Sequence, residues 1–175
     1  MSCVVVHEGT VYDVYNANSG KSEQTGLATL PLADFPGVDL TGEHNPSWKR
    51  DAANPIVHYG PTCVHQAADP KVYFDQRLDG GKGGWAMFLF GTDPSINHGR
   101  AGINVAFSRD LRTWTKATAP LYEAGGHPAG LDACECHKVW LTGSGKPGDD
   151  TIYMHYTADS CKGRGIALLT SKPVV

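Results

Sequence analysis

Gly102-Ile103-Asn104-Val105-Ala106-Phe107-Ser108 returns further along the chain as Gly165-Ile166-Ala167-Leu168-Leu169-Thr170-Ser171, and occurs earlier in shorter form as Gly26-Leu27-Ala28-Thr29. Reading outward, each copy is preceded by an aromatic, β-branched run: Trp85-Ala86-Met87-Phe88-Leu89-Phe90, Ile152-Tyr153-Met154-His155-Tyr156-Thr157-Ala158 and Val11-Tyr12-Asp13-Val14-Tyr15-Asn16-Ala17. Each of those is preceded by a shorter apolar run: Lys71-Val72-Tyr73-Phe74, Lys138-Val139-Trp140-Leu141 and Val4-Val5-Val6. Such runs, bounded by turn formers, read as strands. Asp79-Gly80-Gly81-Lys82-Gly83-Gly84 and Ser144-Gly145-Lys146-Pro147-Gly148-Asp149-Asp150 supply two of the connections. No stretch carries the 3.6-residue periodicity of a long amphipathic helix. Short strands repeating every roughly 65 to 75 residues imply radial repetition. The predicted fold class is therefore all-β, a partial β-propeller of about three blades over one domain, with approximate boundaries 1–60, 61–130 and 131–175.

The linkers repeat as well. Asn54-Pro55-Ile56-Val57 closes the first copy as Ala119-Pro120-Leu121-Tyr122 closes the second. Leu32 to Phe35 reads as a degenerate counterpart of Ser108-Arg109-Asp110-Leu111-Arg112-Thr113-Trp114, whose Trp114 is predicted to fill the crevice between neighbouring blades. Because a propeller needs at least four blades to close, the expected state is self-association or further blades, with the missing ones N-terminal to this stretch.

Composition narrows the partners. A net charge of −3 gives no electrostatic reason to expect nucleic acid or an anionic membrane. No apolar run is long enough to span a bilayer as a helix, and no signal peptide is legible, so a cytoplasmic location is expected. Five cysteines, an odd number at irregular spacing, are expected to be reduced. Cys134-Glu135-Cys136-His137, with Cys63 or His65, lacks the paired C-x-x-C spacing of structural zinc sites, so no metal and no other cofactor is predicted.

Propellers commonly place their working residues on the innermost strand, which lines the channel. When the second and third copies are aligned on Val72 and Val139, an acid precedes each: Asp69 in Ala68-Asp69-Pro70-Lys71 and Glu135 in Cys134-Glu135-Cys136-His137-Lys138. Lys71 shares a strand face with Asp69, so an Asp69–Lys71 ion pair is the plain alternative to chemistry. Upstream of Glu135, Gly125-Gly126-His127-Pro128-Ala129-Gly130-Leu131-Asp132 is placed to rim the channel. His127 and Asp132 are its candidates for hydroxyl recognition. Trp48, Trp85 and Trp140 are candidates to stack on a sugar ring or to sit in the core.

The chain resembles the five-bladed β-propeller glycosidases and glycosidase-like proteins, the arabinanase/xylosidase and invertase/levansucrase superfamily. The resemblance rests on Asp69-Pro70-Lys71-Val72 followed by Glu135-Cys136, and on the blade stretches Val6 to Tyr12, Ala106 to Trp114 and Gly163 to Pro173. It implies a glycoside hydrolase-like protein that cleaves O-glycosidic bonds, with Asp69 stabilising the sugar and Glu135 as the acid. The two carboxyl groups such hydrolysis needs stand on opposite sides of the scissile bond. The resemblance also implies a carbohydrate ligand, with Lys71, His127, Asp132, His137 and Lys138 as substrate contacts; a His-Lys pair opens the inner strand in some of these propellers. The alternative is a non-catalytic carbohydrate-binding or scaffolding propeller.

Overall fold

The computed structural model describes residues 2–18, 22–35, 47–58, 66–92, 101–127 and 129–172. Cys63 and His65, weighed above as metal ligands, lie outside these residues. The first antiparallel meander comprises β1 (Ser2–His7), β2 (Thr10–Asn18), β3 (Glu23–Pro31) and the short β4 (Lys49–Arg50). The second comprises β5 (Ala68–Asp75), β6 (Gly84–Thr92), β7 (Ala101–Ser108) and β8 (Thr115–Lys116). The third comprises β9 (Glu135–Gly143), β10 (Ile152–Asp159) and β11 (Arg164–Thr170). The second and third share one sheet only through a parallel bridge, Ala101 to Glu135. The architecture is all-β, a partial propeller of three blades. Among the described residues no helix is long and apolar enough to cross a membrane.

Local chemistry sets the turns. Glu8 and Gly9 both take positive φ (46° and 73°) between His7 and Thr10, a two-residue turn whose twist matches the strands it joins. Glycine gives that conformation without steric cost at the second position.

Backbone pairing fixes which residues of successive blades correspond. Thr25 exchanges hydrogen bonds with Val57, and Ile103 is paired in the same way with Tyr122, so the two linkers do occupy matching places. Both inner strands carry a β-bulge. Asp69 and Pro70 together face the space between Phe90 and Phe88, whose partners are Ala68 and Lys71. Lys138 and Val139 do the same between Thr157 and His155, whose partners are His137 and Trp140. The corresponding pairs are therefore Ala68 with His137, Asp69 with Lys138, Pro70 with Val139 and Lys71 with Trp140. Asp69 (φ 52°) and Lys138 (φ 54°) share the left-handed backbone as well. This corrects the alignment on Val72 and Val139 by two residues. Pro70, rather than Val72, occupies the buried place of Val139, because hydrogen bonding and not side-chain identity sets the register. Gln66, bridged to Glu23, is the counterpart of Glu135.

Two apolar cores lie between the blades. The first joins Val14 and Leu27 of the first blade to Trp85, Met87, Ala106 and Leu111 of the second, with Trp114 packed against it. The Leu111–Trp114 turn thus fills the crevice between these blades, as the sequence led us to expect. Arg112 pairs with Asp51 and lies 5.8 Å from the centre of the Tyr12 ring, and Lys116 donates to the His58 carbonyl at 2.9 Å. The second core joins Ile103 to Cys136, Val139, Met154, Tyr156 and Ala167.

The expectation of reduced thiols is corrected at two positions. Cys134 and Cys161 form a disulfide, their Cα atoms 5.4 Å apart. The β9–β10–β11 meander brings together residues 27 apart in sequence. Cys3 and Cys136 are free, and burial pushes the Cys136 thiol up to about 12.

Candidate active site

The bulge at Asp69 breaks the side-chain alternation of β5 and re-aims its carboxylate. A left-handed residue before proline is sterically disfavoured, and such strain concentrates where function demands it. Asp69 is 8% exposed, and its Oδ2 lies 3.9 Å from His137 Nδ1. On the other side of the same imidazole, His137 Nε2 lies 4.0 Å from Glu135 Oε2. The expected acids thus converge on one histidine, which occupies the place of an alanine in the preceding blade. These separations are ion-pair distances rather than hydrogen bonds. His137 is 5% exposed, packs edge-on against Phe90 at 5.6 Å, and its Nε2 is buried without a hydrogen-bond partner.

Glu135 is half-exposed and also lies 3.9 Å from Arg164. Arg164 in turn donates from Nε to Asp159 Oδ2 at 2.8 Å. That hydrogen bond, with the Cys161 N–H, holds the Asp159 carboxyl below the usual carboxylate range. Sequence reasoning did not single out Arg164 or Asp159. The signal was an acid and a base flanking the tight Ser160–Gly163 turn directly across from Glu135. The disulfide follows the same path, fastening the residue before Glu135 to that turn.

The remaining candidates separate. Lys71 does not pair with Asp69: its ammonium stands 5.6 Å from the centre of the exposed Trp140 ring. A pair with Asp69 would have followed from strict alternation, which the bulge interrupts. Lys138 is exposed, Trp85 is buried in the first core, and Trp48 meets Phe35 edge-on. His127 is half-buried and accepts the Ala129 N–H through Nδ1.

Asp132 has no exposed surface. Its Oδ2 accepts the hydroxyls of Tyr122 (2.7 Å) and Tyr156 (2.9 Å). Its Oδ1 accepts the N–H groups of Gly125 (3.2 Å) and His127 (3.1 Å). Burial raises its pKa, but these four hydrogen bonds outweigh it and hold the carboxyl below its ordinary value. Tyr122 is pushed up to about 12, chiefly by burial. Asp132 anchors the loop from inside, while His127 is carried on the loop it anchors. Among the described residues no group of three or more His, Cys, Asp or Glu is placed to hold a metal.

No family model matches the sequence, and no curated protein is similar to it in sequence. Solved structures are similar in fold. A complex of BT0996 with RGII matches with a TM-score of 0.65 and 21% identity, over 99% of this protein and 46% of that one. A family-32 beta-fructofuranosidase of Bombyx mori matches at 0.65 and 14%, over 98% of this protein and 33% of that one. A thermostable family-43 glycoside hydrolase matches at 0.61 and 16%, over 98% of this protein and 47% of that one. The fold is that of the propeller glycosidases, and the chain spans less than half the length of these three structures.

Proposed function

We propose that the chain is glycoside hydrolase-like and contributes two carboxylates, Asp69 and Glu135, to acid/base hydrolysis of an O-glycosidic bond. The observation that carries this reading is the convergence of both acids on His137. An imidazole spans only about 2 Å between its nitrogens, so the facing carboxylate oxygens stand no more than about 10 Å apart, a limit that includes the spacings of retaining and inverting glycosidases. Glu135, the more exposed, is the acid that meets the leaving oxygen. Asp69, held by its bulge, orients and stabilises the sugar, with His137 between the two fixing their separation. Lys71, Lys138 and His127 are the polar groups left to meet hydroxyls, with Trp140 as a stacking surface. The RGII complex among the structural neighbours supports a carbohydrate ligand.

The test is turnover of an aryl glycoside panel by the chain and by Asp69→Asn and Glu135→Gln, with folding checked by circular dichroism. Each variant is expected to lose at least about a hundredfold in rate, the lower end of what one acid/base group contributes. Unchanged rates in both remove the assignment. A second reading, a carbohydrate-binding module without catalysis, is favoured by the exposed Trp140 ring beside the Lys71 ammonium, a surface on which a sugar can stack. It predicts calorimetric sugar binding with no hydrolysis by the unaltered protein.

A further inference from the structure

Beside Glu135 lies a second group able to make and break a covalent bond. The Cys134–Cys161 disulfide joins the residue before Glu135 to the Ser160–Gly163 turn that follows Asp159. Both of its ends are tied to Asp159, which stands directly opposite Glu135 in the pairing of β9 with β10. The Cys134 N–H donates to the Asp159 carbonyl at 2.8 Å, and the Cys161 N–H donates to Asp159 Oδ1 at 2.8 Å. Arg164, on the far side of the turn, donates to Oδ2 of the same carboxylate and lies 3.9 Å from Glu135. The two ends of the bond differ in access. Cys161 and its neighbour Lys162 are exposed, whereas Cys134 is half-buried. An exposed disulfide is open to exchange, and positive charge beside a sulfur favours both the thiolate that attacks it and the thiolate released. Among the described residues the free thiols are shielded: Cys136 is fully buried, and half-buried Cys3 accepts the Val72 N–H at 3.3 Å.

We propose that this disulfide is a thiol-exchange site, opened at Cys161 by a dithiol reductant, and that its opening frees the turn that holds Arg164 beside Glu135. A thiolate of the reductant attacks Cys161 Sγ and forms a mixed disulfide with it. The Cys134–Cys161 bond breaks, and Cys134 leaves as a thiolate that takes up a proton. The second thiol of the reductant then gives up its proton and attacks the reductant's own sulfur, so that Cys161 is released as a thiolate and is protonated in turn. Two electrons and two protons have passed from the dithiol, now a cyclic disulfide, to the two cysteines. The turn keeps its internal bonds, Ser160 to Gly163 and Arg164 to Asp159. Its hold on the entrance of β9 is reduced to the Cys134 N–H bond and the strand pairing that follows it, which open far more readily than a covalent tether. The turn can then move as a unit and carry Arg164 away from Glu135. This inference stands on the geometry of the turn and not on the hydrolase reading.

The experiment treats the full chain with dithiothreitol in the absence of denaturant and reads each thiol by alkylation with N-ethylmaleimide and mass spectrometry. Cys134 and Cys161 should be labelled together while Cys136 is not, and oxidised glutathione should restore the bond. Amide exchange followed by NMR reads the tether. On reduction the Cys134, Ser160 and Cys161 N–H groups should exchange at least about tenfold faster, with those of Thr25 and Val57 in the first blade unchanged within about twofold. Two single variants read the direction of attack. The Cys161 thiol of Cys134→Ser should react with oxidised glutathione at least about tenfold faster than the Cys134 thiol of Cys161→Ser. Labelling without dithiothreitol, labelling that needs denaturant, or loss of the native circular dichroism on reduction overturns the proposal. So does an equal or reversed order of the two thiols, or unchanged amide exchange at the turn. None of these readouts involves hydrolysis, so their failure is separate from a failure of Asp69 and Glu135 as catalysts.

Discussion

Replacing Asp132 with alanine removes the acceptor of two phenol hydroxyls and two backbone N–H groups. A hydrogen bond to a charged acceptor contributes about 1.5–3 kcal/mol, and four of them do not add. The freed hydroxyls are already 3.4 Å apart and can pair with each other, which recovers part of the loss. The two N–H groups then remain, together with a cavity the size of a carboxylate. A destabilisation of about 3–5 kcal/mol is expected, the range seen when one side of a buried charged network is removed. With a urea slope of about 2 kcal/mol/M, the midpoint should fall by about 2 M. Tryptophan fluorescence during urea unfolding at pH 7 measures it. Asp132→Asn keeps one acceptor oxygen and should cost about half as much.

Acidification supplies a second arm. Because the folded pKa of Asp132 is depressed, its contribution is fully present above the unfolded value of about 4 and is lost as pH falls through the lower folded value. The gap between the unaltered protein and Asp132→Asn should therefore shrink between pH 5 and pH 2, in steps too small to see above about pH 5. A midpoint shift for Asp132→Ala below about 0.5 M at pH 7 would show that the loop does not depend on this carboxylate.

Two further outcomes are expected. Cys134→Ser with Cys161→Ser, or reduction of the unaltered protein, should cost about 3.5 kcal/mol from the closure entropy of a loop of this length; equal unfolding curves with and without reductant would refute a formed bond. In the first crevice, Leu111→Ala should cost about 2–5 kcal/mol, whereas Arg112→Ala, which breaks an ion pair between partly exposed groups, should cost no more than about 1 kcal/mol. Chemical denaturation of the two variants decides whether packing or charge holds the first two blades together.

The strands were legible because Val, Ile, Tyr and Phe cluster in short runs between Gly and Asp turns, a pattern that needs no tertiary information. The same holds for Trp114, an aromatic in a polar turn with nowhere local to bury itself. The inner-strand register was not legible: a bulge leaves no composition signature, and Val72 matched Val139 in identity while Pro70 matched it in place. Asp132 read as a polar loop residue because its partners Tyr122 and Tyr156 come from a linker and a strand that only the fold brings together. The disulfide was hidden for a related reason, since five cysteines do not announce which two meet. The sequence offered Asp69, Glu135 and His137 separately, but the contact of both acids with His137 and the Arg164–Asp159 pair emerged only from the geometry.

Lys71 and Trp140 hold equivalent positions in consecutive blades, yet they touch each other. A contact that joins a site to its own image one step around the axis cannot be satisfied by identical copies. Two lysines would repel there, and two tryptophans would lose the cation. The junction is attractive only because the repeats have diverged, and in one direction only. Transposing the second and third units in a shuffled gene would leave every strand pattern intact while reversing this step, so the order of the units is written into the chain as firmly as the strands themselves.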